Sequence, residues 1–201
     1  MIVSSNEKYV YTVTANIIFN GGVAIIPTDT VYGFAVNAFN LQAQRRIYSI
    51  KKRDHSKPLI LMSHSIHNMK IFVQFSIEAI RLAKKFWPGQ LTLILPTTAL
   101  GKILSGGRDN LGVRIPNNNF ILHLLKAINI PIFTTSANIS HSHSAKFQSE
   151  VFKFEKLVDI IIDGGKCVFA QESTILDAVH FPYTIVRHGC LKITEILKYI
   201  L

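Results

Sequence analysis

Acidic residues are scarce in this chain. Asp and Glu number 12 against 22 Lys and Arg, so over 201 residues the formal charge is +10. That deficit disfavours cationic partners and favours anionic ones such as nucleotides, RNA or acidic surfaces. A/T-biased coding also raises Lys, Ile and Asn, so part of the charge carries no function. Cysteine is nearly absent: Cys167 and Cys190 have no metal-site spacing and are expected as two reduced, partly buried thiols. No apolar run approaches a membrane span, and the polar start from Met1 to Tyr9, with Glu7, does not read as a signal peptide. The expected location is therefore cytoplasmic, with no membrane partner. There is no Ser/Gly/Pro-rich linker, low-complexity tract or internal repeat, and 48% of residues are apolar, which predicts a single domain over residues 1–201.

Several motifs are missing as well. Gly107 to Gly112 has the glycine spacing of a P-loop but is followed by Val113 rather than Lys. No Gly-x-Gly-x-x-Gly, His-Glu-x-x-His or Gly-x-Ser-x-Gly occurs, which weakens dinucleotide, zinc-protease and serine-hydrolase readings. His141 and His143 form a close pair in a Ser-rich loop but have no further ligands near them in sequence.

What is present reads as mixed α/β. Helices are expected over Tyr9–Asn20, stopped by Gly21-Gly22, and over Leu41–Ile50, Ser65–Phe75, Ser76–Phe86, Phe120–Ile128, Glu150–Leu157 and Thr194–Leu201. Ser76 is the expected N-cap of its helix. Strands are expected at Val23–Ile26, Pro58–Met62, Leu91–Leu95, Leu111–Ile115, Pro131–Thr135, Asp159–Ile162, Ser173–Asp177 and Tyr183–Arg187. Without strict βαβ alternation, the expectation is a twisted sheet with both parallel and antiparallel pairs.

The chemistry-bearing residues gather at the ends of these strands. Val23–Ile26 breaks at Pro27, which has no N–H for a ladder, and presents Thr28, Asp29 and Thr30. The stretch is either a ligand rim or a hydroxyl-rich turn. Lys51, Lys52, Arg53 and Lys57 place four cations in seven residues, more than a helix C-terminus needs for its dipole. Arg114 interrupts the apolar run Leu111–Ile115 and must meet a pocket or a carboxylate. Arg187 follows Ile185-Val186, and Ser136-Ala137-Asn138-Ile139-Ser140 follows another apolar strand, with Ser144 beyond it. Together they predict a basic, hydroxyl-lined cavity for a phosphorylated ligand and a small carboxylate.

An ordered set of short motifs carries a resemblance. It comprises Pro27-Thr28-Asp29-Thr30-Val31-Tyr32-Gly33, Lys51-Lys52-Arg53 with Lys57-Pro58-Leu59, Trp87-Pro88-Gly89, Gly112-Val113-Arg114-Ile115-Pro116, Thr135-Ser136-Ala137-Asn138, Glu172-Ser173-Thr174 and Val186-Arg187-His188-Gly189. In this order, from Gly21 to Cys190, the chain resembles the YrdC-like family, the threonylcarbamoyl-AMP synthases.

The resemblance implies a single YrdC-like domain with an open basic concave cavity over a mixed sheet, of the short bacterial type without the second C-terminal domain of longer relatives. It implies the conversion of L-threonine, bicarbonate and ATP to threonylcarbamoyl-adenylate and pyrophosphate. A separate transferase complex then uses the adenylate to modify tRNA. The family's Lys-x-Arg and Ser-x-Asn signature falls on Lys51, Arg53, Ser136 and Asn138, implied as catalytic. Threonine contacts fall on Thr28, Thr30 and Arg114. Nucleotide contacts fall on Arg53, Lys57, Asn110, Ser136, Ser144, Ser173 and Arg187. The sequence departs from the family pattern at Asp54, where proline is usual, and at Asn110, where threonine is common. No carboxylate cluster dedicated to a metal is visible, so Mg²⁺ is expected to ride mainly on the ATP phosphates. The alternatives are an RNA-binding module, which would need organised aromatic platforms, and an inactive paralogue, which would not need Lys51-x-Arg53 and Ser136-x-Asn138.

Overall fold

The computed structural model describes residues 1–200; Leu201, the expected last residue of the C-terminal helix, lies outside the described residues. Ten strands form one sheet among them: β1 (Ile2–Ser4), β2 (Ala24–Ile26), β3 (Gly33–Asn37), β4 (Ile60–Met62), β5 (Leu91–Pro96), β6 (Asn110–Arg114), β7 (Ile132–Ser136), β8 (Ile160–Asp163), β9 (Thr174–Asp177) and β10 (Thr184–Arg187). Their spatial order is β1-β8-β2-β3-β7-β4-β6-β5-β9-β10. Pairs β1–β8, β2–β8, β4–β6 and β5–β9 are parallel; the other five are antiparallel, so the sheet is mixed, as the sequence predicts. Seven α-helices accompany it: α1 (Val10–Phe19), α2 (Leu41–Lys51), α3 (Ile66–Met69), α4 (Ile77–Phe86), α5 (Ala99–Leu104), α6 (Asn119–Ile128) and α7 (Ile193–Leu197).

The helix ends follow from their caps. Ser76 Oγ accepts from the Ala79 N–H at 3.0 Å, as expected, and Asn40 and Asn118 cap α2 and α6 in the same way at 2.9 and 3.2 Å. Gly21, at φ +86°, turns the chain away after α1, and Lys52, at φ +50°, closes α2 in the left-handed conformation.

Five elements differ from the sequence reading, among them β1 and α5, for which the sequence carried no expectation. The helix expected over Ser65–Phe75 is one turn, α3, because the backbone beyond it bonds elsewhere: Gln74 N–H donates to Pro96 O, Phe72 O accepts from Thr98 N–H, and Val73 bridges Thr97. The helix expected over Glu150–Leu157 is two short 3₁₀ turns. Strand β3 was not anticipated. Phe34, Ala35 and Val36 are buried, so it lacks the alternation that marks a half-exposed strand.

The sheet's alternation divides the core. Val23, Ile25, Phe34 and Ile161 pack with α2 and α4 residues such as Ile47 and Leu82 on one face. Ala24, Ile26, Ile160 and Ile162 pack with Ile18 of α1 and Leu124 of α6 on the other. The α2/α4 face continues along β5 and β6 through Leu91, Leu93, Leu95, Leu111 and Val113. The intervening residues, Thr92, Ile94, Gly112 and Arg114, point the opposite way, into a cavity beside the α1/α6 layer.

Candidate active site

The cavity has a volume of about 420 Å³, within the usual range for small-molecule sites. Its floor includes Ile60, Met62, Thr92, Ile94, Gly112, Thr134 and Ile175; its rim includes Thr28, Thr30, Arg53, Lys57, Asn110, Arg114, Ser136, Ser173 and Arg187. Four cationic side chains, Arg53, Lys57, Arg114 and Arg187, face one carboxylate, Glu172, among the lining residues.

Arg114 is held from three sides although its side chain is only 3% exposed. Its NH2 donates to Asp29 Oδ1 at 2.6 Å, its NH1 to Thr30 Oγ1 at 2.9 Å and its Nε to Gly89 O at 2.8 Å. The sequence demanded a pocket or a carboxylate; the structure supplies both. The Trp87-Pro88-Gly89 turn places the Gly89 carbonyl: Trp87 Nε1 donates to Leu91 O at 2.6 Å and Gly89 N–H to Ile115 O at 2.9 Å. Burial acts to lower the Arg114 pKa and Asp29 opposes it. A guanidinium remains charged throughout, with one NH1 and one NH2 hydrogen still free for a ligand.

Thr28 and Thr30 are not equivalent. The Thr28 hydroxyl accepts from the N–H groups of Thr30 and Val31 at 3.0 and 3.1 Å and donates its proton to Val31 O at 2.7 Å. The 2.9 Å contact between the two hydroxyls therefore has Thr30 as donor. Thr28 is the keystone of its own turn, and its hydroxyl has no proton left for a substrate. The stretch is a hydroxyl-rich turn, and Thr28 and Thr30 line the cavity.

Arg53 lines the cavity and donates to Lys57 O and Pro58 O at 3.2 and 3.1 Å, closing the loop that carries Lys57. Tyr48 stacks on His55 with ring centroids 4.5 Å apart, and Arg108 NH2 donates to His55 O at 2.8 Å, bracing the same loop. Arg187 donates through Nε and NH2 to Ser173 O at 3.0 and 2.8 Å, and through NH2 to Ser173 Oγ at 3.0 Å. Gly189 permits this approach: a Cβ there would lie 2.3–2.4 Å from the backbone of Glu172, Ser173 and Thr174.

Three of the residues expected in the site do not line the cavity. Lys51, implied as catalytic by the resemblance, is 1% exposed and turned inward. Its Nζ donates to Ser136 O at 2.5 Å, to Asn138 O at 2.8 Å and to Asn138 Oδ1 at 2.8 Å. Burial and nearby Arg53 push its pKa down to about 7, whereas three oxygen acceptors favour the ammonium, which alone supplies three donors. Asn138 lies behind Ser136 and donates to Ser142 O at 2.6 Å. Ser144 gives its proton to Glu172 Oε1 at 2.5 Å. These residues support the wall instead of forming it: Lys51 and Asn138 spend their polar atoms on the loop from Ser136 to Ser142, and Ser144 spends its proton on Glu172.

Glu172 was quoted in a motif but given no role from the sequence. Its own burial opposes ionisation, but the Ser144 hydrogen bond and the charges of Arg187 and Lys146 keep its pKa below the usual value. Thr92 and Thr134, also on the cavity wall, carried no sequence signal beyond their place in apolar strands.

Comparison with known proteins follows the same lines. The family model for Sua5, YciO and YrdC, described as telomere recombination, matches residues 16–189. A Pyrococcus abyssi threonylcarbamoyl-AMP synthase is 36% identical over 197 residues, covering 96% of this chain and 58% of the relative. A Bacillus subtilis threonylcarbamoyl-AMP synthase is 33% identical over 190 residues, covering 92% and 55%. The chain thus spans little more than half the length of these two curated relatives. Among solved structures, P. abyssi Sua5 complexed with L-threonine superposes with a TM-score of 0.94 at 34% identity, covering 100% of this chain and 61% of that one. Escherichia coli YciO superposes with a TM-score of 0.87 at 26% identity, covering 100% and 97%.

Proposed function

Because the chain belongs to the Sua5/YciO/YrdC family, we propose that it is a threonylcarbamoyl-AMP synthase, joining L-threonine, bicarbonate and ATP into threonylcarbamoyl-adenylate and releasing pyrophosphate. The observation that carries this reading is the division of cations around one cavity. Arg114 is locked in place by Asp29, Thr30 and Gly89 with two N–H groups unspent, which suits a small carboxylate. Arg53, Lys57 and Arg187 line the same cavity and suit a polyphosphate. The threonine complex of the P. abyssi relative supports the amino-acid half of the reading.

The chemistry asks little of the protein beyond placement. The threonine amine, once its ammonium proton is lost, adds to CO2, or to bicarbonate with loss of water, and an oxygen of the resulting carbamate attacks the α-phosphate as the bond to pyrophosphate breaks. No protein nucleophile is required, so cations that hold two anions together and stabilise charge on the phosphorus supply the catalysis. Mg²⁺ carried on the phosphates would share that charge. Glu172 is the only carboxylate in the cavity lining among the described residues, and one of its oxygens is engaged by Ser144. That donor set fits an ion held mainly by phosphate and water. The adenylate is expected to pass to a separate transferase complex acting on tRNA.

The test is pyrophosphate release that depends on both threonine and bicarbonate, measured with and without tRNA. Release is expected to need both small substrates and to be indifferent to tRNA. An absolute requirement for tRNA would replace the small-molecule reading with an RNA-directed one. None of the described helices is long and apolar enough to cross a membrane.

Arg53 provides a second test. Its hydrogen bonds to Lys57 O and Pro58 O leave N–H groups for phosphate oxygens. Arg53→Ala is expected to lose about 2–4 kcal/mol of transition-state stabilisation, read as kcat/KM for pyrophosphate release. A folded variant with wild-type kcat/KM would remove Arg53 from the clamp.

A further inference from the structure

The side-chain amide of Asn138 has one possible orientation. Its Oδ1 faces the Lys51 ammonium at 2.8 Å, and its Nδ2 faces Ser142 O at 2.6 Å. Turning the amide over would set an NH2 against an ammonium, which has no acceptor, and an oxygen against a carbonyl. With Oδ1 fixed, the 2.7 Å contact from Ser136 Oγ to the same oxygen also has one polarity: Ser136 donates. A serine hydroxyl has a single proton, so Ser136 Oγ meets the cavity, which it lines, with lone pairs only.

Lys51 is the origin of this chain of constraints. It is buried with no carboxylate partner and also holds the backbone oxygens of Ser136 and Asn138. Its own carbonyl accepts from Ser140 N–H at 2.8 Å, so both its side chain and its backbone bind the loop from Ser136 to Ser140. A carboxylate oxygen, or an oxygen of an internal phosphate of ATP, carries no proton at neutral pH and finds no donor in a hydroxyl arranged this way. An amine, ammonium or alcohol does find an acceptor.

We propose that Lys51 and Asn138 are positioning residues that fix Ser136 Oγ as an acceptor, and that Ser136 therefore binds an N–H or O–H of the substrates and not a phosphate oxygen. This rests on the synthase reading above. The donor belongs either to threonine, through its ammonium or hydroxyl, or to the nucleoside of ATP, through a ribose hydroxyl or the adenine amine.

The experiment is calorimetry on wild type and Ser136→Ala with L-threonine, ATP, 2′-deoxy-ATP, 3′-deoxy-ATP, inosine triphosphate and inorganic triphosphate. Affinity of Ser136→Ala for inorganic triphosphate is expected to match wild type within about twofold, and one donor-bearing ligand to weaken by about three- to tenfold, as for a single net hydrogen bond. Weakening of threonine places the donor on the amino acid. Weakening of ATP that disappears with one of the analogues places it on the group that analogue lacks. Asn138→Ala removes the oxygen that takes the Ser136 proton and is expected to weaken the same donor-bearing ligand, with inorganic triphosphate bound at least as tightly as by wild type, which a merely space-filling role would not require. Equal weakening of inorganic triphosphate, an ATP loss that no analogue removes, or no change with any ligand would overturn the assignment of Ser136 while leaving the synthase reading intact. A wild-type protein that binds neither threonine nor ATP would overturn the synthase reading, and this contact with it.

Discussion

Arg114→Ala is expected to lose about 3–5 kcal/mol of folding stability and most of the affinity for threonine. The stability loss follows from Asp29, which is 1% exposed in its side chain and pairs with Arg114 at 2.6 Å. Its other oxygen, Oδ2, is buried without a protein hydrogen bond. Removing the guanidinium leaves a carboxylate with neither water nor a counter-charge, and this is the expensive way to break a buried pair. Denaturant unfolding measures this part, as a fall in midpoint at unchanged slope. Two further variants separate stability from binding. Arg114→Lys keeps a charge for Asp29 but not the planar fork, so it should be more stable than Arg114→Ala and still bind threonine at least about tenfold more weakly than wild type. The double variant Asp29→Leu with Arg114→Met removes both charges together and should recover stability without recovering threonine binding. If threonine binding survives these changes while ATP binding is lost, the two halves of the cavity are the reverse of the arrangement proposed above.

Lys51→Met should show the opposite balance: little loss of stability at neutral pH and at least about a hundredfold loss of kcat/KM, a magnitude typical of disturbed positioning in a two-substrate site. Lys51 is a buried cation paired only with neutral oxygens and lying 5.6 Å from the Phe34 ring centroid. An apolar side chain of similar length removes its desolvation cost along with its hydrogen bonds. What it cannot replace is the hold on Ser136 and Asn138, so activity should fall further than stability.

The pH dependence of stability gives an independent check. Burial and Arg53 bring the folded-state pKa of Lys51 down from its ordinary 10.5 to about 7. Between those values the unfolded chain binds the proton and the folded chain does not, so stability rises with pH across that window and is flat below it. Wild type should therefore gain on Lys51→Met from about pH 7 upward, by at most about 1.4 kcal/mol per pH unit. Unfolding midpoints at pH 6, 7.5 and 9 measure this. A difference that stays flat from pH 6 to pH 9 would mean that the three oxygens hold the lysine as an ammonium, with its pKa at or above the unfolded value.

The local elements were legible because local chemistry fixes them. The alternation Leu91-Thr92-Leu93-Ile94-Leu95 is a strand with one apolar face, and the structure buries the three leucines while Thr92 and Ile94 turn to the cavity. Ser76 caps α4 because its hydroxyl reaches a free N–H three residues on. Arg114 announced a site because a cation in an apolar strand must be paid for by an anion, and Asp29 is that anion. Strand β3 escaped detection because it is buried on both faces, and α3 stopped early because Thr98, distant in sequence, captured the Phe72 carbonyl.

The sequence by itself therefore determined the mixed α/β class and the family, and nine of the twelve residues it singled out line the cavity. Composition, spacing and capping are local properties, and the ordered motifs carry the rest. Only the tertiary structure decided which way each polar group faces. Lys51 and Arg53 are two residues apart, yet Arg53 lines the cavity and Lys51 is buried behind it, held by acceptors from a loop more than eighty residues further along the chain. Thr28 and Thr30 look equivalent in sequence, but Thr28 spends its proton on its own turn and Thr30 spends its on Thr28. A hydroxyl has one proton and an ammonium three; where those few protons go depends on which distant oxygens folding brings within reach.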